Sequence, residues 1–320
     1  MNSEVDLTGV NELTYPHLTT WEWPVAAYLF IGGLVAGIMI LGGALNLRKQ
    51  PIFKKAVWIA DVSGLPLLIL GLLLLFVDLT NRWQAWRFFT TFQATSAMSW
   101  GSWILLLSGI VLFIRALRRL PAAPGFPTLD GGKWRGRAQS LLLWARHHAS
   151  RVSGRAIDGV TIALGLGLGF YTGVLLSSIS ARPLWNTAVL APLFLVSGLA
   201  SGGAFLCLFI SREAHMKLVP ISLGLCGAEG LLLLAYIVSL TFGTFATQNA
   251  GDALLSGGFG LSFWLLVVGL GLLVPVIVEA ADWQERKVPR LVERSAPVLK
   301  LVGSATLRFV VVFAGLQTFI

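Results

Sequence analysis

The sequence predicts an all-α integral membrane protein with eight transmembrane helices, and three observations predict it. Of 320 residues, 56% are hydrophobic and only 12% are charged, about half the charged share of a soluble domain. Apolar runs of about the 20 residues that a helix needs to cross the hydrocarbon core recur along the chain. Lys and Arg collect in alternate connections between those runs. Helices are the expected form because lipid offers backbone N–H and C=O groups no partners, and a helix satisfies its own.

The first run, Pro24 to Leu47, is too long for a signal peptide, follows acidic rather than basic residues and shows no clear cleavage site. It reads as a retained helix. Ala56 to Leu79 and Ala97 to Leu117 are the second and third spans. The connection 118–156 is long for a bundle. Its first part, PAAPGFPTLDGG, is rich in Pro and Gly and reads as irregular. Its second part, WRGRAQSLLLWARHHASR, reads equally as an amphipathic helix on the inner leaflet or as a solvated basic linker. Ile157 to Ile179, Leu184 to Ile210, Pro220 to Phe242, Gly257 to Val278 and Pro297 to Phe319 complete the eight. The chain therefore divides into an outer segment 1–23, helices 1–3 over 24–117, the basic loop 118–156 and helices 4–8 over 157–320. Residues 24–320 form one membrane domain.

Leu29–Gly37 (LFIGGLVAG) resembles Phe194–Gly202 (FLVSGLASG). Both lie in helices that run in the same direction, which predicts two parallel four-helix halves. The small residues suit close helix approach.

Twenty of the 24 Lys and Arg fall on one side of the predicted bundle, counting Lys300 just inside the last run. Three, Arg82, Arg87 and Arg182, fall on the other. The positive-inside rule makes the basic side cytoplasmic and both termini periplasmic. The net charge of +9 is thus a topology signal, and nucleic acid is not an expected partner. Two cysteines cannot build a disulfide framework or an iron–sulfur cluster. His17, His147, His148 and His215 all lie outside the spans or at an edge, so a facing pair of axial haem ligands is missing. No metal-ligand spacing or phosphate-binding glycine loop stands out.

Four carboxylates fall within spans, where each is costly: Asp61, Asp78, Asp158 and Glu229. Asp158, at the inner edge, reads as a cap or structural partner. Asp61 lies about 8 Å inward from the basic side and Glu229 about 14 Å, near the midplane. These two are candidates for a proton path. A second group gathers at the outer side: Tyr28, Asp78, Trp83, Arg87, Tyr171 and Arg182. Interfacial tyrosine is usually an anchor. A Tyr–Asp pair across helices offers more, namely the donors and the proton-exchanging acid that a quinone needs. The residues alone leave three readings open: quinone chemistry, ion or proton transport through the buried carboxylates, and a purely structural anchor.

Four stretches carry a resemblance: WEWPVAAYLFIGGLVAG from Trp21, DLTNRWQAWRFF from Asp78, SAMSWGSWILLLSG from Ser96, and YTGVLLSSISARPLWNTAVLAPLFLVSGLASGGA from Tyr171. In these the sequence resembles the NrfD/PsrC family, the membrane subunits of polysulfide-reductase-like complexes. The resemblance implies a quinone-interacting anchor in the cytoplasmic membrane of a bacterium or archaeon, without haem or iron–sulfur cluster of its own. It implies electron exchange between menaquinone or ubiquinone and a ferredoxin-like partner with four [4Fe–4S] clusters on the outer face, often with a molybdopterin catalytic subunit. It implies quinone contacts for Tyr28, Tyr171 and Asp78. Asp78 is then the catalytic acid, and Trp83 and Arg87 shape the mouth. Some members carry His where this chain has Tyr28 and Asn where it has Val25. Tyr cannot become cationic as His can, so proton handling is expected to differ.

Overall fold

A computed structural model describes residues 23–79, 82–84, 86–90, 92–119, 146–149, 153–179, 181–284 and 289–317. Among the described residues no strand occurs, and eight helices are long and apolar enough to cross a membrane. They are α1 (Trp23–Arg48), α2 (Lys54–Asp78), α3 (Ala97–Arg119), α4 (Gly154–Ser177), α5 (Leu190–Cys207), α6 (Arg212–Thr241), α7 (Ser262–Trp283) and α8 (Arg290–Gln317). The start of α1 and the end of α8 share one end of the bundle, the terminal face. The other end, which gathers most of the Lys and Arg, is the basic face.

The helices α1 and α5 occupy the centre. α1 packs on α2, α4 and α5, while α8 packs on α5 and α7. Apolar burial does not drive helices together in lipid, so close packing must. Glycine supplies it here. A Cβ on Gly37 would strike the backbone of Gly198 and Gly202, and one on Gly198 would strike the backbone of Gly33. The two segments that resemble each other in sequence thus meet at equivalent positions, Gly33 with Gly198 and Gly37 with Gly202. The outer surfaces are apolar: Leu73, Val77, Ile110, Leu231 and Ile277 are all exposed, as a lipid-facing surface requires.

Several boundaries differ from the sequence reading: α8 starts at Arg290, with Pro297 inside it, α7 runs on to Trp283, and three further differences show their cause. Leu184 and Trp185 precede α5 in a turn instead of opening it. Tyr236 donates to the Leu184 carbonyl at 2.9 Å, and Trp185 Nε1 donates to the Val311 carbonyl at 2.8 Å. α6 starts at Arg212, because Ser211 caps it by accepting from the Ala214 N–H. Pro220 sits inside it, as neighbouring helices in a membrane allow. The seventh run is preceded by a short helix, Phe245–Leu255, capped by Thr244, so α7 begins only at Ser262.

The first twelve residues of α7 wind as a π-helix, with the Val274 N–H reaching back to the Gly269 carbonyl. Pro275 follows directly; it has no N–H and clashes with the carbonyl four residues before it, so the tighter α repeat is disfavoured there. Gly271 in this segment lies against Gly303 of α8. In the basic loop, residues 146–149 are helical, while most of the stretch read as a surface helix or linker lies outside the described residues.

Candidate functional site

Two tyrosines meet inside the terminal half. Tyr28, in the second turn of α1, is 2% exposed, and Tyr171, in the outer turns of α4, is 7% exposed. Glycines on two further helices wall them. The Tyr171 ring lies where a Cβ on Gly101 of α3 would stand, and the Tyr28 ring touches the corresponding position of Gly71 on α2. The hydroxyls are close enough to interact, yet Tyr28 Oη is enclosed and makes no well-formed hydrogen bond. Trp103 Nε1, two residues along α3 from Gly101, is enclosed without a partner too. A buried donor with no acceptor costs free energy. The Tyr28 hydroxyl beside this glycine-lined wall fits a ligand that brings an acceptor oxygen, whereas Trp103, about 200° around α3 from Gly101, faces away from the wall and packs edge-on against Phe89.

Asp78 is the last residue of α2, half-buried. It stands seven residues beyond Gly71, about 10 Å nearer the terminal face. Trp83 is 91% exposed. Arg87, also exposed, donates to Gln84 Oε1 at 3.3 Å. The structure therefore joins Tyr28 and Tyr171, sets Asp78 above them, and leaves Trp83 and Arg87 on the open surface of the same end. Arg182, on that face, is buried and donates to the Leu316 carbonyl at 2.7 Å. Loss of water around it lowers its pKa from the usual arginine value.

Glu229 belongs to a different cluster, near mid-depth. Arg308 of α8 is fully enclosed and donates to Ser197 Oγ at 2.7 Å, to Ser304 Oγ at 2.6 Å and to the Phe194 carbonyl at 3.0 Å. Its guanidinium also stacks on the Phe194 ring, 5.0 Å from the centroid. Glu229 lies beside Ser197 and within electrostatic reach of Arg308. Gly33 makes room for the guanidinium. Gly33 lies five residues beyond Tyr28, so this cluster is about 8 Å deeper along α1.

Asp61 lies in a third cluster, at the basic end. It accepts from Arg115 Nε and from Arg119 Nε, both at 2.6 Å. Arg115 also bridges to Asp158, which accepts from Asn46 Nδ2 at 2.7 Å. Asp158 is thus tied into the structure, as its position at the helix edge predicts. A matching pair occurs across the bundle: Lys300 of α8 meets Glu279 of α7 at 2.7 Å and Ser222 of α6 at 2.6 Å. Among the described residues, no group of His, Cys, Asp and Glu is arranged to hold a metal ion.

The family model for polysulphide reductase, NrfD, matches residues 11–320. The chain belongs to the NrfD family. It is 33% identical to Protein NrfD of Escherichia coli over 327 aligned positions, covering 93% of this chain and 95% of that one. It is 31% identical to the C subunit of the polysulfide reductase of Wolinella succinogenes over 320 positions, 94% and 95% of the two sequences. A more distant relative is the Hdr-like menaquinol oxidoreductase integral membrane subunit of Archaeoglobus fulgidus, 22% identical over 287 positions, 84% of this chain and 64% of that one. Membership in the NrfD family and the eight apolar helices make this a multi-pass membrane protein.

Several residues that matter in this NrfD-family protein carry little signal in its sequence. Arg115 closes an apolar run and reads as one more loop base, yet it is 5% exposed inside α3. The one signal for it is Asp61 and Asp158 at matching depth on neighbouring helices. Arg308 lies deep in the last helix, flanked by apolar turns, and an intramembrane arginine should itself prompt a search for a carboxylate. The two wall glycines, Gly71 and Gly101, carry no local signal, because their role depends on helices far apart in sequence.

Proposed function

We propose that this protein is the quinone-interacting membrane subunit of a respiratory oxidoreductase complex, with the quinone site between Tyr28 and Tyr171 in the outer leaflet. The observation that carries this reading is the enclosed pair of facing phenols, walled by Gly71 and Gly101, in which the Tyr28 hydroxyl makes no well-formed hydrogen bond. The reductase and menaquinol-oxidoreductase subunits among its relatives support it. Basic residues concentrated at one end favour periplasmic termini in a bacterial or archaeal cytoplasmic membrane. The contact of equivalent glycines on α1 and α5 favours two parallel halves. The partners in this reading are an outer iron–sulfur subunit with four [4Fe–4S] clusters and a molybdopterin catalytic subunit.

A bound quinone supplies two-electron, two-proton chemistry. The chain's residues supply position and protons. Tyr28 and Tyr171 donate their hydroxyl protons as hydrogen bonds to carbonyl oxygens. Asp78, between this pair and the terminal face, exchanges protons with water there. Trp83 and Arg87 stand at the entrance. Asp78→Asn keeps the shape and removes the exchangeable acid. Its quinone-linked turnover is expected to fall at least about 100-fold, with complex assembly and thermal stability unchanged. Wild-type turnover would remove Asp78 from the scheme.

Protons also have a candidate route from the basic face. Glu229 is its mid-depth station. Asp61 is its entry, although two guanidiniums hold it, so it conducts only by exchanging them. Glu229→Gln is expected to lower the membrane potential generated per electron in vesicles while leaving quinone binding intact. An unchanged potential would exclude Glu229 from the route.

A further inference from the structure

The basic face holds a cavity that the proposed quinone chemistry does not use. It has a volume of about 310 Å³ and opens between the ends of α1 and α3 and the starts of α2 and α4. A second space of about 340 Å³ shares Asn46, Gly154 and Asp158 with it and extends to Lys49 and Arg155. Charge around the two is unbalanced. Asp61 and Asp158 are the acids, and both are already bound to Arg115, with Arg119 on the far oxygen of Asp61. Arg118, Arg155 and Lys49 have no carboxylate within ion-pair distance among the described residues. Arg118 on the first hollow and Lys49 and Arg155 on the adjoining one together set up a positive potential that favours an anion between them.

We infer that these two adjoining hollows bind the phosphodiester of an anionic membrane lipid, with Arg118 from one and Arg155 and Lys49 from the other as its cationic ligands and the shared Asn46 as a neutral one. Phosphate oxygens suit this set, since guanidinium groups offer forked donors to tetrahedral oxyanions. Lipid rather than free phosphate fits the location. Arg118 stands at the end of a membrane-crossing helix, at head-group depth. Apolar residues exposed on the same helices, Trp58 and Val62 beside Asp61 and Phe113 beside Arg115, continue the site into the surface that acyl chains cover. Basic pockets between transmembrane helices on the cytoplasmic side are where anionic head groups are recognised. This inference is independent of the quinone reading.

The test is native mass spectrometry of the purified full-length protein, released from mixed vesicles of phosphatidylglycerol and phosphatidylcholine. The wild type is expected to retain phosphatidylglycerol and shed phosphatidylcholine. Arg118→Gln/Arg155→Gln is expected to lose that preference by roughly tenfold or more, while Arg118→Lys/Arg155→Lys keeps most of it. Lys49→Gln, on an exposed turn outside the helix packing, gives a smaller loss in the same direction. Added inorganic phosphate leaves the bound lipid in place. Equal retention of the two lipids, or an unchanged preference in both Gln variants, overturns the assignment. Displacement of the lipid by equimolar phosphate overturns it too, in favour of a free-oxyanion site.

Discussion

Arg115 holds two carboxylates, and the three groups depend on one another. A buried ion pair adds little when intact, but removing one partner strands the others in a medium of low dielectric. Arg115→Leu leaves Asp61 with Arg119 and Asp158 with Asn46 alone. It is expected to destabilise the protein by about 3–5 kcal/mol. Asp61→Asn keeps a hydrogen-bonding group of the same shape and should cost clearly less. Thermal unfolding of the two variants in the same detergent checks the order. Residues differ in how legible they are from sequence. Tyr28 and Tyr171 can be singled out because their depth and chemistry are local properties. The bond from Asp61 to Arg115 joins positions 54 apart in the chain, and nothing near either residue announces it. Arg308 and Glu229 share that problem: each is visible as an anomaly, but not the partnership between them.

Helix existence is the most legible level, since an apolar run of sufficient length has few other fates. Helix ends are less so, because caps and docking contacts decide them. Ser211 carries α6 beyond the proline that looks like its start, and Trp185 is drawn out of α5 by a carbonyl on α8. The contact of α1 with α5 is half legible: the two glycine-rich segments look alike, but likeness does not say that they touch. Gly198→Val puts branched carbons against the backbone of Gly33. Such overpacking is expected to cost about 3 kcal/mol or more, as there is no flexible side chain to yield. Gly224→Ala is the control. A Cβ there meets nothing, and α6 should gain up to about 1 kcal/mol of helix propensity. Parallel melts of the two variants separate steric failure at the centre from a general sensitivity of membrane glycines.

At the scale of the whole molecule, orientation rests on charge distribution alone. The thiol of Lys49→Cys is expected to react with a membrane-impermeant maleimide only from the cytoplasmic side, and that of Trp83→Cys only from the periplasm. Labelling in the reverse pattern would move the phenol pair to the inner leaflet, and the proposed partner to the cytoplasmic side. The docking of the connection between α4 and α5 bears on how the chain is made. Arg182 and Trp185 are emitted in the middle of translation, yet the carbonyls that receive them, at Val311, Gly315 and Leu316, emerge last. Until then the guanidinium must wait in water or at the lipid head groups. A chain cut before the eighth helix would therefore keep its fourth and fifth helices but lack the carbonyls that latch the connection between them.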